Sequence, residues 1–321
     1  MHELSFREVW KARKRIEPFI QPTPLLYSEA LSEQTGANVY LKLEHDHPTG
    51  SFKLRGAANK ILSLKEEDRQ KGVTTFSTGN HGISVAYMAA KLNIPCTVCI
   101  SNHVPPAKVN RLKKLQARVE ITGVSQDDAE ARCVELEKEE GMTIIKPFDD
   151  KEVIAGQGTI GLEIMSQCPD VDEVIIPLSG GGLLSGIAFV MKSIEPAVHV
   201  TGITMKKAAV MQESLAKGKP VILEEEPTLA DSLLGGIGTD NRFTFPMTRM
   251  YMDEGVRVDE SQIEEGLLYI LNHHKIVIEG AAATGIGHIL YSDFGEGKNI
   301  VAVLSGNNID HEVISDLIHK S

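Results

Sequence analysis

The sequence predicts an α/β protein built from two parallel-sheet lobes. Short runs of β-branched residues alternate with longer helical patterns along the chain, which is typical of parallel strands covered by helices. Glycine-rich or hydroxyl-rich turns follow several strand patterns, and ligands of open α/β sheets bind at the carboxyl ends of strands. The predicted strands cover residues 38–43, 73–77, 97–100, 119–122, 174–178, 198–203 and 300–304.

Helical patterns fall between these strands, most clearly at 52–64, 82–92 and 183–194. A later helix is predicted to begin with a capping box formed by Ser261 and Glu264. No glycine- or serine-rich linker separates the lobes. Since strand–turn–helix units occur in both halves of the sequence, we expect the chain to cross twice between the lobes, with the site in the cleft.

Composition and charge exclude several classes of function. Lysine and arginine number 33 against 44 aspartates and glutamates, a net charge of −11, so nucleic acid is not an expected partner. No apolar run reaches about 18 residues and no secretory signal is visible, so we expect a cytoplasmic protein without a membrane partner. Cys96 and Cys99 form a CxxC inside an apolar strand pattern. Without a second ligand pair nearby, we expect small buried thiols and no metal site.

Lys53 is the first candidate functional residue. It lies in Pro-Thr-Gly-Ser-Phe-Lys-Leu-Arg-Gly-Ala at 48–57. Most lysines are solvated, but Phe52, Leu54 and Gly56 are apolar or small and can pack this one inward. An amine held away from water loses its proton more readily and can form a Schiff base with a carbonyl. A surface lysine is the alternative.

Three consecutive glycines, Gly180 to Gly182, follow the strand pattern at 174–178 and precede a helix. Such a turn lets several backbone N–H groups converge at a helix N-terminus, so it predicts a phosphate site. A tight turn demanded by packing is the alternative. No Gly-Lys-Ser/Thr follows, and the acidic residue expected about 20 positions later in a dinucleotide fingerprint has no clear counterpart.

A second strand-to-helix turn reads Ser-Thr-Gly-Asn-His-Gly at 77–82. Its hydroxyls, amide and N–H groups suit a carboxylate, whereas helix capping by Ser77 or Thr78 is the alternative. We assign the His81 side chain no catalytic role from the sequence.

Ser305 follows the last predicted strand. Its hydroxyl could bond the edge of a cofactor ring, or the residue could simply end the strand. His45 and His47 lie just before the lysine segment, where we expect solvated loop positions, with contact to a substrate as the alternative.

Together and in this order, these segments resemble the fold-type II pyridoxal phosphate (PLP) enzymes, specifically the serine/threonine dehydratase and serine racemase family. The resemblance runs from Pro-Thr-Pro-Leu at 22–25 to Ser305 and includes Val-Ile-Ala-Gly-Gln-Gly-Thr at 153–159. It implies a tryptophan synthase β-like fold and a homodimer. It also implies two domains, a large PLP-binding domain from 1–71 and 149–321 and a small mobile substrate-binding domain from 72–148.

The resemblance further implies roles for individual residues. Lys53 would hold PLP and act at the substrate Cα, Asn80 would contact the cofactor 3′-oxygen, and Ser305 would face the pyridine nitrogen. Thr78 would take the position of the serine that racemases use as an acid on the second face. The implied cofactor site comprises Phe52, Lys53, Asn80, Ser179, Gly180, Gly181, Gly182, Leu183 and Ser305. The implied carboxylate receptor comprises Ser77, Thr78, Gly79, Asn80 and His81.

The implied reaction is elimination of water from a β-hydroxy amino acid, giving a 2-oxo acid and ammonia. Candidate substrates are threonine, serine, 3-hydroxyaspartate, phenylserine and an opened hydroxyectoine derivative. The last is included because several segments look most like the hydroxyectoine-utilisation dehydratases. Thr204 and Val210 stand where metal-binding relatives carry acids, so no divalent metal is expected. A racemase or a β-replacement enzyme of the same fold is the alternative, and a non-catalytic anion- or nucleotide-binding module is the alternative outside this class.

Overall fold

The computed structural model describes residues 4–77, 79–102, 104 and 106–320. The chain forms two compact units, the first from residues 1–20 and 53–156 and the second from residues 21–52 and 157–321. The chain thus passes from one unit to the other more than once. The predicted domain bounds and their functional roles stay a prediction.

Strands and helices alternate along the described residues. The strands are β1 (Leu25–Tyr27), β2 (Asn38–Leu43), β3 (Val73–Thr75), β4 (Cys96–Ile100), β5 (Arg118–Ile121), β6 (Thr143–Ile144), β7 (Glu173–Pro177), β8 (His199–Met205), β9 (Glu254–Val258) and β10 (Asn299–Leu304). The helices are α1 (Phe6–Ile16), α2 (Glu29–Thr35), α3 (Lys53–Ser63), α4 (Glu66–Lys71), α5 (Asn80–Leu92), α6 (Pro106–Lys114), α7 (Gln126–Glu140), α8 (Lys151–Gln167), α9 (Gly182–Ile194), α10 (Val210–Lys217), α11 (Thr244–Tyr251), α12 (Glu260–His274), α13 (Gly280–Ile289) and α14 (His311–Lys320).

The second unit contains a six-stranded sheet in the order β1-β2-β10-β7-β8-β9. Only the β1–β2 pair is antiparallel among the described strands of this sheet. Along β10, Ile300, Ala302 and Leu304 join one apolar core while Val301 and Val303 join a second. Because successive side chains of a strand point to opposite faces, the centre of this sheet is buried on both sides.

The first unit contains a parallel sheet in the order β5-β4-β3-β6. One apolar core of this unit includes Leu54 and Ile61 of α3, Met88 of α5 and Val98 of β4, each with no exposed surface. The helices that carry the lysine segment and the Ser77–Gly82 turn therefore share a single core. The predicted α/β class with parallel sheets is confirmed.

One local prediction is wrong. The capping box of α12 is formed by Asp259 and Gln262, with the Asp259 side chain accepting from the Gln262 N–H. Ser261 lies inside the first turn and donates its hydroxyl to Asp259 at 2.7 Å. A carboxylate two residues earlier is an equally good N-cap, so the Ser261–Glu264 spacing alone did not identify the helix start.

Candidate active site

In the second unit, three neighbouring strands, β2, β10 and β7, run parallel and end at the same edge of the sheet. A 3₁₀ turn, Glu44–Asp46, follows β2, Ser305 follows β10, and the glycine turn follows β7. Since carboxyl ends of adjacent parallel strands lie side by side, two of the predicted segments, Ser305 and the glycine turn, meet at one edge beside the 3₁₀ turn. This edge is the expected location of a ligand.

Gly181 gives the glycine turn its shape. It is the N-cap residue of α9 and has φ +83°, a left-handed conformation that disfavours side chains. A Cβ added there would lie 2.9 Å from both Met211 Cε and Thr248 Oγ1. The turn thus needs glycine for conformation and for space, and it leaves the start of a 13-residue helix without a capping side chain. This is the geometry of an anion site.

The segment preceding the lysine is tied to the turn after β10. The Phe52 N–H donates to the Ser305 carbonyl at 3.0 Å, and the Asn307 N–H donates to the Gly50 carbonyl at 2.9 Å. Gly50 has φ +75°, and a Cβ there would lie 2.4 Å from Asn307 Oδ1. Ser305 itself is 2% exposed. The backbone before the lysine is therefore fixed beside Ser305.

In the first unit, Lys53 begins α3 and its side chain is half-buried. Its Nζ donates to the Pro147 carbonyl at 2.8 Å. Pro147 belongs to the connector 145–150 between β6 and α8, and β6 is the parallel neighbour of β3. The amine is thus held against a backbone oxygen, within its own unit.

The Ser77–Gly82 turn follows β3 and leads into α5. Its N-cap residue is Gly79, so the alternative in which Ser77 caps the helix is not what the structure has. A Cβ at Gly82 would lie 1.7 Å from the Ser77 carbonyl oxygen, so the turn folds directly over the helix start. Asn80 is 8% exposed and begins α5. Thr78 lies outside the described residues.

His81 is the second residue of α5 and is 2% exposed. Its Nε2 bonds the Ile145 carbonyl at 2.8 Å. Burial, then the nearby charge of Lys53, lower the pKa of His81 to about 3. The ring is therefore neutral near pH 7. Because a carbonyl only accepts, the proton is on Nε2 and Nδ1 is a bare acceptor.

The sequence did not reveal a buried polar network that anchors β2 and the turn after it. Lys42, with no exposed surface, bonds Glu163 at 2.7 Å and the Thr23 carbonyl at 2.7 Å. Thr23 Oγ1 donates to Glu44 at 2.6 Å, and Glu44 also bonds His47 at 3.1 Å. A buried carboxylate needs such partners.

The prediction of solvated positions for His45 and His47 is wrong, since each is 7% exposed. Burial is the largest effect on His45 and lowers its pKa. Glu279 was missed as well. It is 3% exposed and its carboxylate accepts from Ser232 at 3.0 Å. It approaches the turn after Ser305 so closely that a Cβ at Gly306 would lie 2.8 Å from it. Isolated acidic residues give no signal in a single sequence.

Cys96 and Cys99 lie on β4 and are buried, as is Cys133 of α7. Across the described ranges, no group of three or more histidines, cysteines, aspartates or glutamates is placed to hold a metal ion. The helices described also include none with the length and apolarity needed to cross a membrane.

The backbone N–H groups, the lysine amine and the serine hydroxyl described above fit PLP in three respects. The glycine turn at α9 offers backbone N–H groups to a phosphate, with no room for a Cβ at Gly181. Lys53 offers an amine for the aldehyde, and the Ser305 hydroxyl suits the edge of a pyridine ring. No carboxylate follows β10 directly in the sequence, so the residue at that strand end is neutral.

Comparison with known proteins gives consistent results. The profile of the family "Pyridoxal-phosphate dependent enzyme" matches residues 16–306. The L-threonine ammonia-lyase of Thermotoga maritima is 39% identical over 317 residues, covering 99% of this chain and 79% of that protein. A catabolic L-threonine dehydratase of Staphylococcus aureus is 40% identical over 322 residues, covering 99% and 92%.

Among solved structures, maize serine racemase superposes with a TM-score of 0.92 at 31% identity, covering 99% of this chain and 98% of that one. The fold-type II architecture inferred from the sequence is thereby confirmed. Full-length similarity at this identity, together with the family match, establishes the cofactor as pyridoxal phosphate. This chain belongs to the family of pyridoxal-phosphate dependent enzymes.

Proposed function

We propose that this enzyme is a dehydratase, an ammonia-lyase that eliminates water from a β-hydroxy amino acid to give a 2-oxo acid and ammonia. The observation that carries the proposal is the half-buried Lys53 amine at the start of α3, held 2.8 Å from the Pro147 carbonyl. Relatives named as threonine ammonia-lyase and threonine dehydratase at 39% and 40% identity support this reaction.

Lys53 is proposed as the site of cofactor attachment and, once free, as the base that takes the Cα proton. A base must be neutral to accept a proton, so Lys53 is proposed to act in its unprotonated form. Pyridoxal phosphate, when bound, supplies an aldehyde that takes up amines and a ring that withdraws electrons from Cα.

The other predicted residues are assigned to binding. Ser179 to Leu183 would hold the phosphate through the N-terminus of α9, Asn80 would contact the 3′-oxygen, and Phe52 would lie beside the cofactor-bearing lysine. The substrate carboxylate is bound by the Ser77–His81 turn at the N-terminus of α5, where helix N–H groups favour an anion. Thr78 is proposed as a hydroxyl on the second face of the substrate.

Ser305 supports elimination over transamination. A Ser305 hydroxyl would hold the pyridine nitrogen without keeping a proton on it, as a carboxylate would, so the bound cofactor would supply a weaker electron sink. This favours loss of the β-hydroxyl, which leaves as water once it takes up a proton. Glu279, which is buried near the same turn, bonds Ser232 and the Asn308 N–H, and we assign it to holding that turn in place.

Threonine is the first proposed substrate, because relatives over almost the full length of the chain carry threonine in their names. Serine is proposed beside it from the resemblance of the sequence segments. An opened hydroxyectoine derivative is the finer proposal and rests on the resemblance of the turn segments. A homodimer, with a large cofactor domain and a small mobile substrate domain, is proposed on the same basis.

The proposal is tested by assaying purified holoenzyme on threonine, serine, 3-hydroxyaspartate, phenylserine and the hydroxyectoine derivative. We expect equal amounts of 2-oxo acid and ammonia from at least one, and loss of this activity in Lys53→Ala. Lys192→Ala is the control, because Lys192 also donates to a backbone carbonyl, that of Val198, at 2.8 Å, in addition to its ion pair with Asp253 at 2.6 Å. Turnover in Lys53→Ala equal to that of the control would overturn the assignment.

A racemase is the second candidate, favoured by the similarity to maize serine racemase. It predicts the opposite enantiomer as product without stoichiometric ammonia. Chiral chromatography of the same reaction mixtures separates the two activities. If an activated serine gives product only when sulfide is present, the chain is a β-replacement enzyme instead. Membership of an enzyme family argues against the non-catalytic binding module.

A further inference from the structure

We propose that His81 is a positioning residue for Lys53, acting through the backbone connector 145–147. This inference rests on the proposed role of Lys53 and deepens it. His81 belongs to the predicted carboxylate receptor, but its side chain has a different role, which is to fix the carbonyl segment against which the lysine amine rests.

The contacts that carry the proposal lie within the first unit. His81 Nε2 donates to the Ile145 carbonyl at 2.8 Å, and Thr75 Oγ1 donates to the same oxygen at 3.0 Å. Two residues further on, the Pro147 carbonyl accepts from Lys53 Nζ at 2.8 Å. The Ile145 N–H donates to the Thr74 carbonyl at 2.8 Å. The start of the connector is therefore held by three hydrogen bonds, and the carbonyl two residues later holds the amine.

The His81 ring bonds this connector through one nitrogen and leaves its other nitrogen unsatisfied among the described residues. Its Nδ1 is buried and, among the described residues, has no hydrogen-bond partner. A buried acceptor left without a donor costs on the order of 1–3 kcal/mol. The bond to the Ile145 carbonyl is therefore the one side-chain hydrogen bond of His81 among the described residues.

The neutral state of the ring matters for the same reason. A second positive charge beside Lys53 would favour loss of the lysine proton but would also repel the amine from its resting place. Burial and the charge of Lys53 both lower the pKa of His81, so the ring stays neutral at the pH at which a lysine base works. His81 can thus orient the lysine segment without changing its charge.

The experiment compares three substitutions at one position. Gln places an amide nitrogen near the location of Nε2, Asn places one near Nδ1, and Leu has no polar atom. We measure how fast Lys53 is acetylated in cofactor-free protein from pH 6 to pH 10, by peptide mass spectrometry. The acetylation of Lys192, which bonds the Val198 carbonyl at 2.8 Å and pairs with Asp253 at 2.6 Å, is the internal reference, because it lies outside the first unit that contains His81.

For His81→Leu and His81→Asn we expect the Lys53 rate, relative to Lys192, to change by about fivefold, the effect of one lost hydrogen bond, with a shifted pH midpoint. His81→Gln should stay close to wild type. A purely structural role would lower stability in all three variants without moving the Lys53 profile, and that result would overturn the proposal.

Thr75→Val provides a second variant if substitutions at His81 prevent folding. It removes the other donor to the Ile145 carbonyl and should shift the Lys53 profile in the same direction but by less. If the His81 variants do not fold and folded Thr75→Val shows an unchanged Lys53 acetylation profile, that result also counts against the proposal. If His81 controls Lys53 acetylation but wild-type holoenzyme carries its cofactor on another lysine, the proposed function fails and the positioning inference stands.

Discussion

Substituting Gly181 by alanine separates the cofactor role of the glycine turn from its structural role. Gly181 has φ +83°, and an added Cβ would meet Thr248 Oγ1 and Met211 Cε at 2.9 Å each. Placing alanine in the left-handed region costs about 1–2 kcal/mol, and overpacking adds about 1–3 kcal/mol. Gly218→Ala is the matched control, since Gly218 has φ +71° and no described atom lies within 4 Å of its added Cβ.

We expect Gly218→Ala to lose about 1–2 kcal/mol of unfolding free energy and Gly181→Ala to lose more, as measured by urea denaturation of cofactor-free protein. A phosphate hydrogen bond is worth roughly 1.5–3 kcal/mol, so displacing one N–H should weaken cofactor binding about 10- to 100-fold. Titration of each cofactor-free variant with pyridoxal phosphate, followed by absorbance, measures this. Equal affinities in the two variants would refute the assignment of the glycine turn as the phosphate site.

Gly82→Ala should raise the KM for the amino acid and lower the Tm, because the new Cβ would lie 1.7 Å from the Ser77 carbonyl; an unchanged KM in a steady-state assay would contradict this. Lys42→Met should destabilise the protein by about 3–5 kcal/mol, since it leaves Glu163 buried without its cation, and the double variant with Glu163→Met should recover part of the loss in urea denaturation. Finally, the pKa of His81 is lowered to about 3 in the folded protein. As pH falls below about 6.5, the unfolded chain therefore takes up a proton at this residue that the folded chain does not. The free energy of unfolding should then fall by about 1.4 kcal/mol per pH unit relative to that of His81→Gln. Parallel stability curves for those two proteins between pH 6 and pH 4 would argue against the buried neutral ring.

The central strands could be predicted from the sequence because burial on both faces requires continuous apolar runs. The three strands that were missed, β1, β6 and β9, are all at sheet edges. Four of the five residues of β9 are exposed or only partly buried. An edge strand needs neither two apolar faces nor great length, so its pattern resembles a loop until its partner is known.

The candidate site likewise has segments that the sequence indicates and contacts that it does not. The sequence singled out the glycine turn and the Ser77–Gly82 turn because glycines and hydroxyls at strand-to-helix junctions have a local physical meaning. It singled out Lys53 because apolar and small residues surround it, and the roles of all three stay a prediction. The partners of these segments were not found. Glu163 bonds Lys42 from 121 positions away, and the Pro147 carbonyl bonds Lys53 from 94 positions away. A backbone carbonyl carries no signal in the sequence, and pairings across such distances depend on the fold.

Reductive trapping identifies the lysine that carries the cofactor. Holoenzyme is treated with sodium borohydride, digested, and the pyridoxyl-bearing peptide is identified by mass spectrometry, with Lys53→Ala treated in parallel. The account predicts a single modified residue, Lys53, and no visible-range cofactor absorbance in the variant. A pyridoxyl group on any other lysine of wild-type enzyme, or undiminished absorbance in Lys53→Ala, would contradict it.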